Sequence, residues 1–182
     1  SSQHTFIENC CLKMKLKFVV AGPKGSGKTL ISNCIAGQSD KLTTESYNPT
    51  VGVRILETEL RLNGIHDDIN VEIWDASGDQ KYEAGWKAVL AYTDGVILVY
   101  DPDSPGQDQQ LTLWYDYFVK RNGLRDEQCL IFAHRGNSTE KFKPPPLFSR
   151  VSAALTGPNS APDIKAMFEN FIREIHTIQQ RK

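Results

Sequence analysis

The chain has 182 residues, with Lys+Arg 21 against Asp+Glu 22, a formal net charge of −1, 40% hydrophobic and 24% charged residues. This is globular composition, enough for one domain with its own core, and the near-neutral balance argues against a nucleic-acid binder, which needs clustered Lys and Arg. No apolar run approaches the roughly 18 residues needed to span a bilayer.

The four cysteines form neither a disulfide framework nor a zinc pattern: Cys10 and Cys11 are adjacent, Cys34 falls in an apparent helix and Cys129 in an apparent strand. A reducing, intracellular and cytoplasmic setting is expected. The histidines, His4, His66, His134 and His176, are scattered, and each reads as a surface residue.

Residues 1–13 are polar and read as a flexible tail. A first strand runs from Met14 to Ala21 and stops at Gly22. Leu30, Ile31, Cys34 and Ile35 follow helical spacing from Lys28 to Ala36, with Gly37 as a stop. A polar loop covers 38–49. Strand-like runs follow at Val53–Leu62 and Ile69–Trp74, joined by an Asn63-Gly64 turn, so the Ile69 run is expected to be an antiparallel edge. Gly95–Tyr100, Cys129–Ala133 and Leu147–Ser152 read as further strands, apolar enough to be covered on both faces. Leu111, Trp114, Tyr115, Phe118 and Val119 mark one core-facing helix. Ile164, Met167, Phe168, Phe171, Ile172, Ile175 and Ile178 mark the last, opened by Pro162-Asp163. Lys143 to Pro146 reads as a stiff loop. The expectation is a three-layer α/β domain over 14–182: a mostly parallel six-stranded sheet, one antiparallel edge strand, and helices on both faces.

Gly22-Pro23-Lys24-Gly25-Ser26-Gly27-Lys28-Thr29 fits the phosphate-binding pattern G-x-x-x-x-G-K-[ST] without a mismatch, between a strand and a helix. Gly25 and Gly27 let backbone N–H groups turn toward phosphate oxygens, and the helix aims its positive end at the anion. Lys28 reaches the β and γ phosphates, and Thr29 offers a Mg²⁺ ligand. A nucleoside triphosphate with Mg²⁺ is the economical ligand. Downstream, Asp75 ends a strand and Gly78 follows three residues later. Such an Asp can hold the Mg²⁺ through water, and the Gly78 N–H can sense the γ phosphate. Thr50, at the end of the polar loop, reads either as an ordinary loop residue or as a switch threonine that caps the metal when the γ phosphate is present. Beside the other two motifs the switch reading is favoured.

The order of phosphate loop, Pro49-Thr50-Val-Gly-Val53, Trp74-Asp75-x-x-Gly78 and Asp94-Gly95-Val-Ile-Leu-Val-Tyr-Asp101 resembles a Ras-superfamily small GTPase, closest to the Rab branch. More narrowly, Gly-Val-Arg-Ile-Leu-Glu57, Trp-Asp-x-x-Gly-Asp79 and Trp114-Tyr-x-x-Phe118-Val resemble the Rab-like GTPase subunits of the intraflagellar transport B complex. The resemblance implies a P-loop small G domain that binds GTP and GDP with Mg²⁺, held by Thr29, Thr50 and Asp75. It places Ser152, Ala153 and Ala154 in the Ser-Ala-Lys loop beside the guanine, with Ala154 in place of the Lys. It also implies protein partners at a switch surface of Val53, Ile55, Trp74 and Tyr82, with Trp86 either joining that patch or packing beneath it. Those partners would be coiled-coil subunits of the transport complex, and the home a cilium or flagellum and its base.

Three positions depart from the family. Asp79 stands where active relatives carry the Gln that orients the attacking water, and Gln80 lies one residue on; a carboxylate near the γ phosphate is repelled, so slow intrinsic hydrolysis is expected. His134-Arg135-Gly136-Asn137 stands where relatives carry Asn-Lys-x-Asp. Asn137 accepts with one neutral oxygen where an Asp forms a charged fork, which softens guanine selectivity. Arg135 is expected to lie over the base as the Lys does. Third, the sequence ends Gln-Gln-Arg-Lys182 without a prenylatable Cys, so no direct membrane anchor is expected. Two functions compete: a slow hydrolysing switch, as in vesicle trafficking, and a nucleotide-loaded binding module, which Asp79 and the missing anchor favour. A small-molecule kinase is a poorer fit, because no Arg-rich lid or acceptor site is legible.

Overall fold

Alternation along the strands builds the layers. The computed structural model describes residues 13–44, 46–135 and 145–181. Its strands are β1 (Met14–Ala21), β2 (Val53–Leu60), β3 (Ile69–Ala76), β4 (Gly95–Tyr100), β5 (Cys129–His134) and β6 (Ser152–Thr156). Its helices are α1 (Lys28–Ile35), α2 (Glu83–Leu90), α3 (Gln107–Tyr115) and α4 (Ala161–Gln180). β1 sends Leu16, Phe18 and Val20 into one core and Val19 and Ala21 into another. β4 divides the same way, Ile97 and Val99 against Val96, Leu98 and Tyr100. A period of two with apolar residues on both sides requires cover on both sides. α1 and α4 supply one layer, where the Phe168 and Phe171 rings lie 5.2 and 5.5 Å from Phe18. α2 and α3 supply the other.

The sheet order is β2-β3-β1-β4-β5-β6, parallel except for the β2–β3 pair. The edge strand is β2 and not, as expected, the Ile69 run. β3 lies inside, parallel to β1 from Met14↔Ile69 to Val20↔Asp75. Burial explains the choice: β3 buries Ile69, Val71 and Ile73, whereas β2 exposes Ile55, Glu57 and Glu59, and charge belongs on an edge.

The last strand also differs. Leu147 falls in a 3₁₀ turn over Pro146–Phe148, and the strand begins only at Ser152. Pro146 favours a tight turn over a ladder, and the buried Phe148 ring anchors that turn edge-on against Tyr115 at 5.2 Å. α3 continues as a π turn over Asp116–Lys120, and every member of its expected stripe is buried. Cys34 and Cys129 are free and buried; Cys10 and Cys11 lie outside the described residues. No helix among the described residues is long and apolar enough to cross a membrane.

β1 sits mid-sheet between β3 and β4, so the chain leaves its carboxyl end where the strand order reverses. Open α/β sheets bind their ligands in that crevice. The phosphate-loop motif occupies it.

Candidate nucleotide site

The loop from Gly22 to Gly27 joins β1 to α1, and Gly27 stands at the helix N-terminus with φ +95°. A Cβ there would come within 2.7 Å of His134 Cδ2, so both conformation and space require glycine. Lys28 opens the helix, and its buried Nζ donates to the Pro23 carbonyl at 2.6 Å, curling under the loop. Burial lowers its pKa to about 8, against the pull of the Asp75 charge. Such a cation is underserved by protein and suited to phosphate oxygens. Gly78 packs directly on this loop. A Cβ there would lie 2.6 Å from both the Gly22 oxygen and the Lys24 nitrogen.

Three oxygens meet beside Lys28. Thr29 Oγ1 donates to Asp75 Oδ2 at 2.8 Å and lies 3.0 Å from Thr50 Oγ1. They arrive from the first turn of α1, the end of β3 and the loop before β2. The loops carrying Thr50 and Gly78 are themselves joined, because Ser77 N donates to the Gly52 oxygen at 2.8 Å. Asp75 is buried, and its Oδ1 has no hydrogen-bond partner among the described residues. Hard oxygens at this spacing with an unpartnered carboxylate oxygen fit a small octahedral cation, whose adjacent ligands lie about 3 Å apart when bound at roughly 2.0–2.1 Å. Among the described residues no group of three or more His, Cys, Asp or Glu side chains could hold a metal ion.

A cavity of about 480 Å³ opens from this cluster, lined by 25–30, 42–44, 46–48, Thr50, Ser77, Gly78, Asp101 and His134. It takes in Gly25, Ser26, Gly27, Lys28, Thr29, Thr50, Gly78 and His134 from the expected set; Gly22, Pro23 and Lys24 complete the loop behind it. His134 is no surface residue: it is buried, with Nδ1 3.0 Å from Thr156 Oγ1 and Nε2 2.9 Å from the Leu42 oxygen.

The base-side expectations need correction. Ser152, Ala153 and Ala154 are the first residues of β6 and do not line the cavity. The other end of that strand reaches the site, where the Thr156 oxygen accepts from Arg135 N at 2.9 Å and Gly157 follows. Arg135 is buried and engaged elsewhere, its Nε 3.1 Å from Asp103 Oδ2. It lines no part of the cavity. Asn137 lies outside the described residues.

Asp79 and Gln80 stand beside the cavity without lining it. The Asp79 carboxylate caps the 3₁₀ turn Gln80–Tyr82 by accepting from Lys81 N at 3.1 Å, and Lys24 Nζ and Lys81 Nζ each approach its Oδ2 to 3.8 Å. Gln80 is exposed. Sequence reasoning missed Gln107, the buried first residue of α3. It accepts from Asp101 N at 2.7 Å and donates to the Lys24 oxygen at 3.4 Å, bracing the phosphate loop against the β4–α3 connection. Nothing local marks a Gln for that role.

The residues expected at a switch surface are placed as follows. Ile55 is 47% exposed and opposite half-buried Trp74 in the β2–β3 ladder, with Val53 and Tyr82 half-buried nearby in sequence. Lys17 Nζ sits 3.7 Å from the Trp74 ring centroid, and Trp74 Nε1 donates to Glu72 at 3.2 Å. Trp86 takes the second of its two readings. It is buried against Trp114, Tyr117 and Phe118 at 4.9, 5.5 and 5.3 Å.

Comparison with known proteins bears on this geometry. Residues 17–137 match the family model described as Roc, the Ras of Complex domain of DAPkinase. A protein of Xenopus tropicalis named intraflagellar transport protein 22 homolog is 31% identical over 166 residues, covering 88% of this chain and 90% of its own. The GTP-bound crystal structure of T. brucei IFT22/74/81 has a chain of similar fold, with a TM-score of 0.75, 29% identity, and 92% of this chain and 98% of that one covered. The GDP-bound crystal structure of T. brucei IFT22 gives 0.65 and 27%, with 91% and 98% covered.

Proposed function

Because this chain belongs to the Ras-like GTPase domain family, and within it to the intraflagellar transport protein 22 group, we propose that it is a GTP- and GDP-binding subunit of an intraflagellar transport assembly in cilia or flagella. The observation that carries the nucleotide reading is the meeting of Thr29, Thr50 and Asp75 beside the phosphate loop. Those residues would hold Mg²⁺, whose charge would offset that of the phosphates. The chain's own groups do the rest. Lys28 and the loop N–H groups bind phosphate, while Thr50 and Gly78 report on its terminal group by ordering the two joined switch loops.

Hydrolysis is slow in this reading. The position that orients water in active relatives holds Asp79, whose carboxylate caps a turn and faces Lys24 and Lys81. A negative group there opposes the charge on the γ phosphate and donates no hydrogen bond to water. The output is protein binding. The GTP-bound T. brucei relative is found together with proteins 74 and 81, and in this chain the surface of Val53, Ile55, Trp74 and Tyr82 is the docking face for coiled-coil subunits of that kind.

Mass analysis of the nucleotide that co-purifies, followed by titration of GTP, GDP and ATP with Mg²⁺, tests this directly. Guanine nucleotide bound in an Mg²⁺-sensitive way is expected. No retention of any nucleotide would remove the reading. Single-turnover hydrolysis faster than about 10⁻³ s⁻¹ without a helper protein would favour a hydrolysing switch instead.

A further inference from the structure

Arg54 enters the oxygen cluster from the edge strand. The β2–β3 ladder sets it directly opposite Asp75, and its Nη2 lies 3.4 Å from Asp75 Oδ2. The same nitrogen donates to Asn33 Oδ1 of α1 at 2.7 Å, which fixes the guanidinium between helix and strand. Asp75 Oδ2 therefore serves two donors, Arg54 and the Thr29 hydroxyl, while the carboxylate as a whole is cut off from solvent.

A buried carboxylate needs a cation. Part of that demand is met permanently by the chain, by Arg54 in direct contact and by the Lys28 charge nearby. Two cations sharing one carboxylate also repel each other, and solvent screens that repulsion only in part, since Asp75 is buried while the Arg54 side chain is 38% exposed. An Arg cannot escape by losing its proton.

We propose that Arg54 is a resident counter-cation for Asp75 that weakens Mg²⁺ binding and makes retention of the guanine nucleotide less dependent on Mg²⁺. This rests on the nucleotide reading above. It goes further in assigning the first strand after Thr50 a charge that sets how strongly the metal counts. The position of Arg54 on β2 also makes the edge strand sensitive to the metal, since whatever draws Asp75 toward Mg²⁺ loosens its hold on the guanidinium.

The test uses the full chain loaded with methylanthraniloyl-GDP, with nucleotide retention followed as free Mg²⁺ is titrated and after EDTA is added. Arg54→Met is expected to lower the Mg²⁺ concentration for half-retention by about tenfold or more, and to make EDTA-triggered release steeper than in the parent. Asn33→Ala leaves the charge but frees the guanidinium to lean wholly on Asp75, so its half-point is expected to rise. A half-point that stays or rises in Arg54→Met overturns the proposal; a rise would mean that Arg54 only orients Asp75 for the metal. If Arg54→Met does not fold by circular dichroism, Asn33→Ala decides alone, and a half-point that stays or falls overturns it. A parent that retains no nucleotide at any Mg²⁺ concentration removes the nucleotide reading and this one with it, whereas a parent that retains nucleotide with unaltered variants defeats only the role of Arg54.

Discussion

His134 Nε2 lies 2.9 Å from the carbonyl oxygen of Leu42, which pins the end of β5 to the loop leading toward Thr50. Through Thr156 on its other nitrogen and Gly27 against its ring, one buried imidazole joins β6, the phosphate loop and the first switch segment. That is a strut.

Replacing His134 by Ala strands the Leu42 carbonyl and the Thr156 hydroxyl, at a cost on the order of 1–3 kcal/mol in urea unfolding. Burial holds the His134 pKa below its usual value, although its bond to Leu42 pulls the other way. The unfolded chain therefore takes up the proton first. Its contribution is complete above the unfolded value of about 6.5 and is lost as pH falls through the lower native one. Unfolding between pH 7 and pH 5 should show a shallower loss in His134→Asn than in the parent; equal slopes would place the acid sensitivity elsewhere.

Thr29→Ala removes the hydroxyl that joins Asp75 to Thr50. Nucleotide affinity measured with Mg²⁺ is expected to drop on the order of 10–100-fold. The same measurement in EDTA should change little, because the phosphate loop and Lys28 are untouched. A loss equally large in EDTA would mean that Thr29 acts through the fold and not through the metal.

Asp79→Gln puts a neutral amide at the position proposed to orient the attacking water. Single-turnover GTP hydrolysis is expected to rise on the order of 10–100-fold. The change also weakens the cap on the Gln80–Tyr82 turn, costing about 0.5–1 kcal/mol of local order, which hydrogen exchange at Lys81 N would register. Faster exchange without faster hydrolysis would leave Asp79 a structural cap alone.

Trp74 on β3 and Trp86 on α2 should separate. Trp86→Ala empties a buried aromatic cluster and is expected to cost about 3–5 kcal/mol. Trp74→Ala gives up a half-exposed ring under Lys17, worth about 1 kcal/mol, and should leave the fold intact while abolishing partner capture in a pull-down. Retained capture with a folded Trp74 variant would move the docking face elsewhere.

The meeting of Thr29, Thr50 and Asp75 was legible because each closes a short pattern: Thr29 a phosphate loop, Asp75 an apolar strand, Thr50 a loop entering another strand. The parallel sheet was legible from apolar runs and helical stripes. The edge position was not. Asn63-Gly64 says that β2 and β3 run antiparallel, but which of them meets β1 depends on the crossover through α1 and on Glu57 and Glu59 keeping β2 in water. The placement of Ser152–Ala154 in the strand also turns on register. A three-residue likeness carries no register, and the ladder pairs Thr156, not Ser152, with His134.

The fold class and the phosphate-loop pattern were readable from the amino-acid sequence, since these depend on neighbours within one turn or one strand. Only the tertiary structure decided that His134 is a buried strut, that Arg135 turns to Asp103, that Gln107 braces the loop and that Arg54 meets Asp75. Each of those contacts joins residues some 20 to 90 positions apart. Their partners are chosen by strand register and by the crevice at the reversal of strand order, which no local pattern encodes.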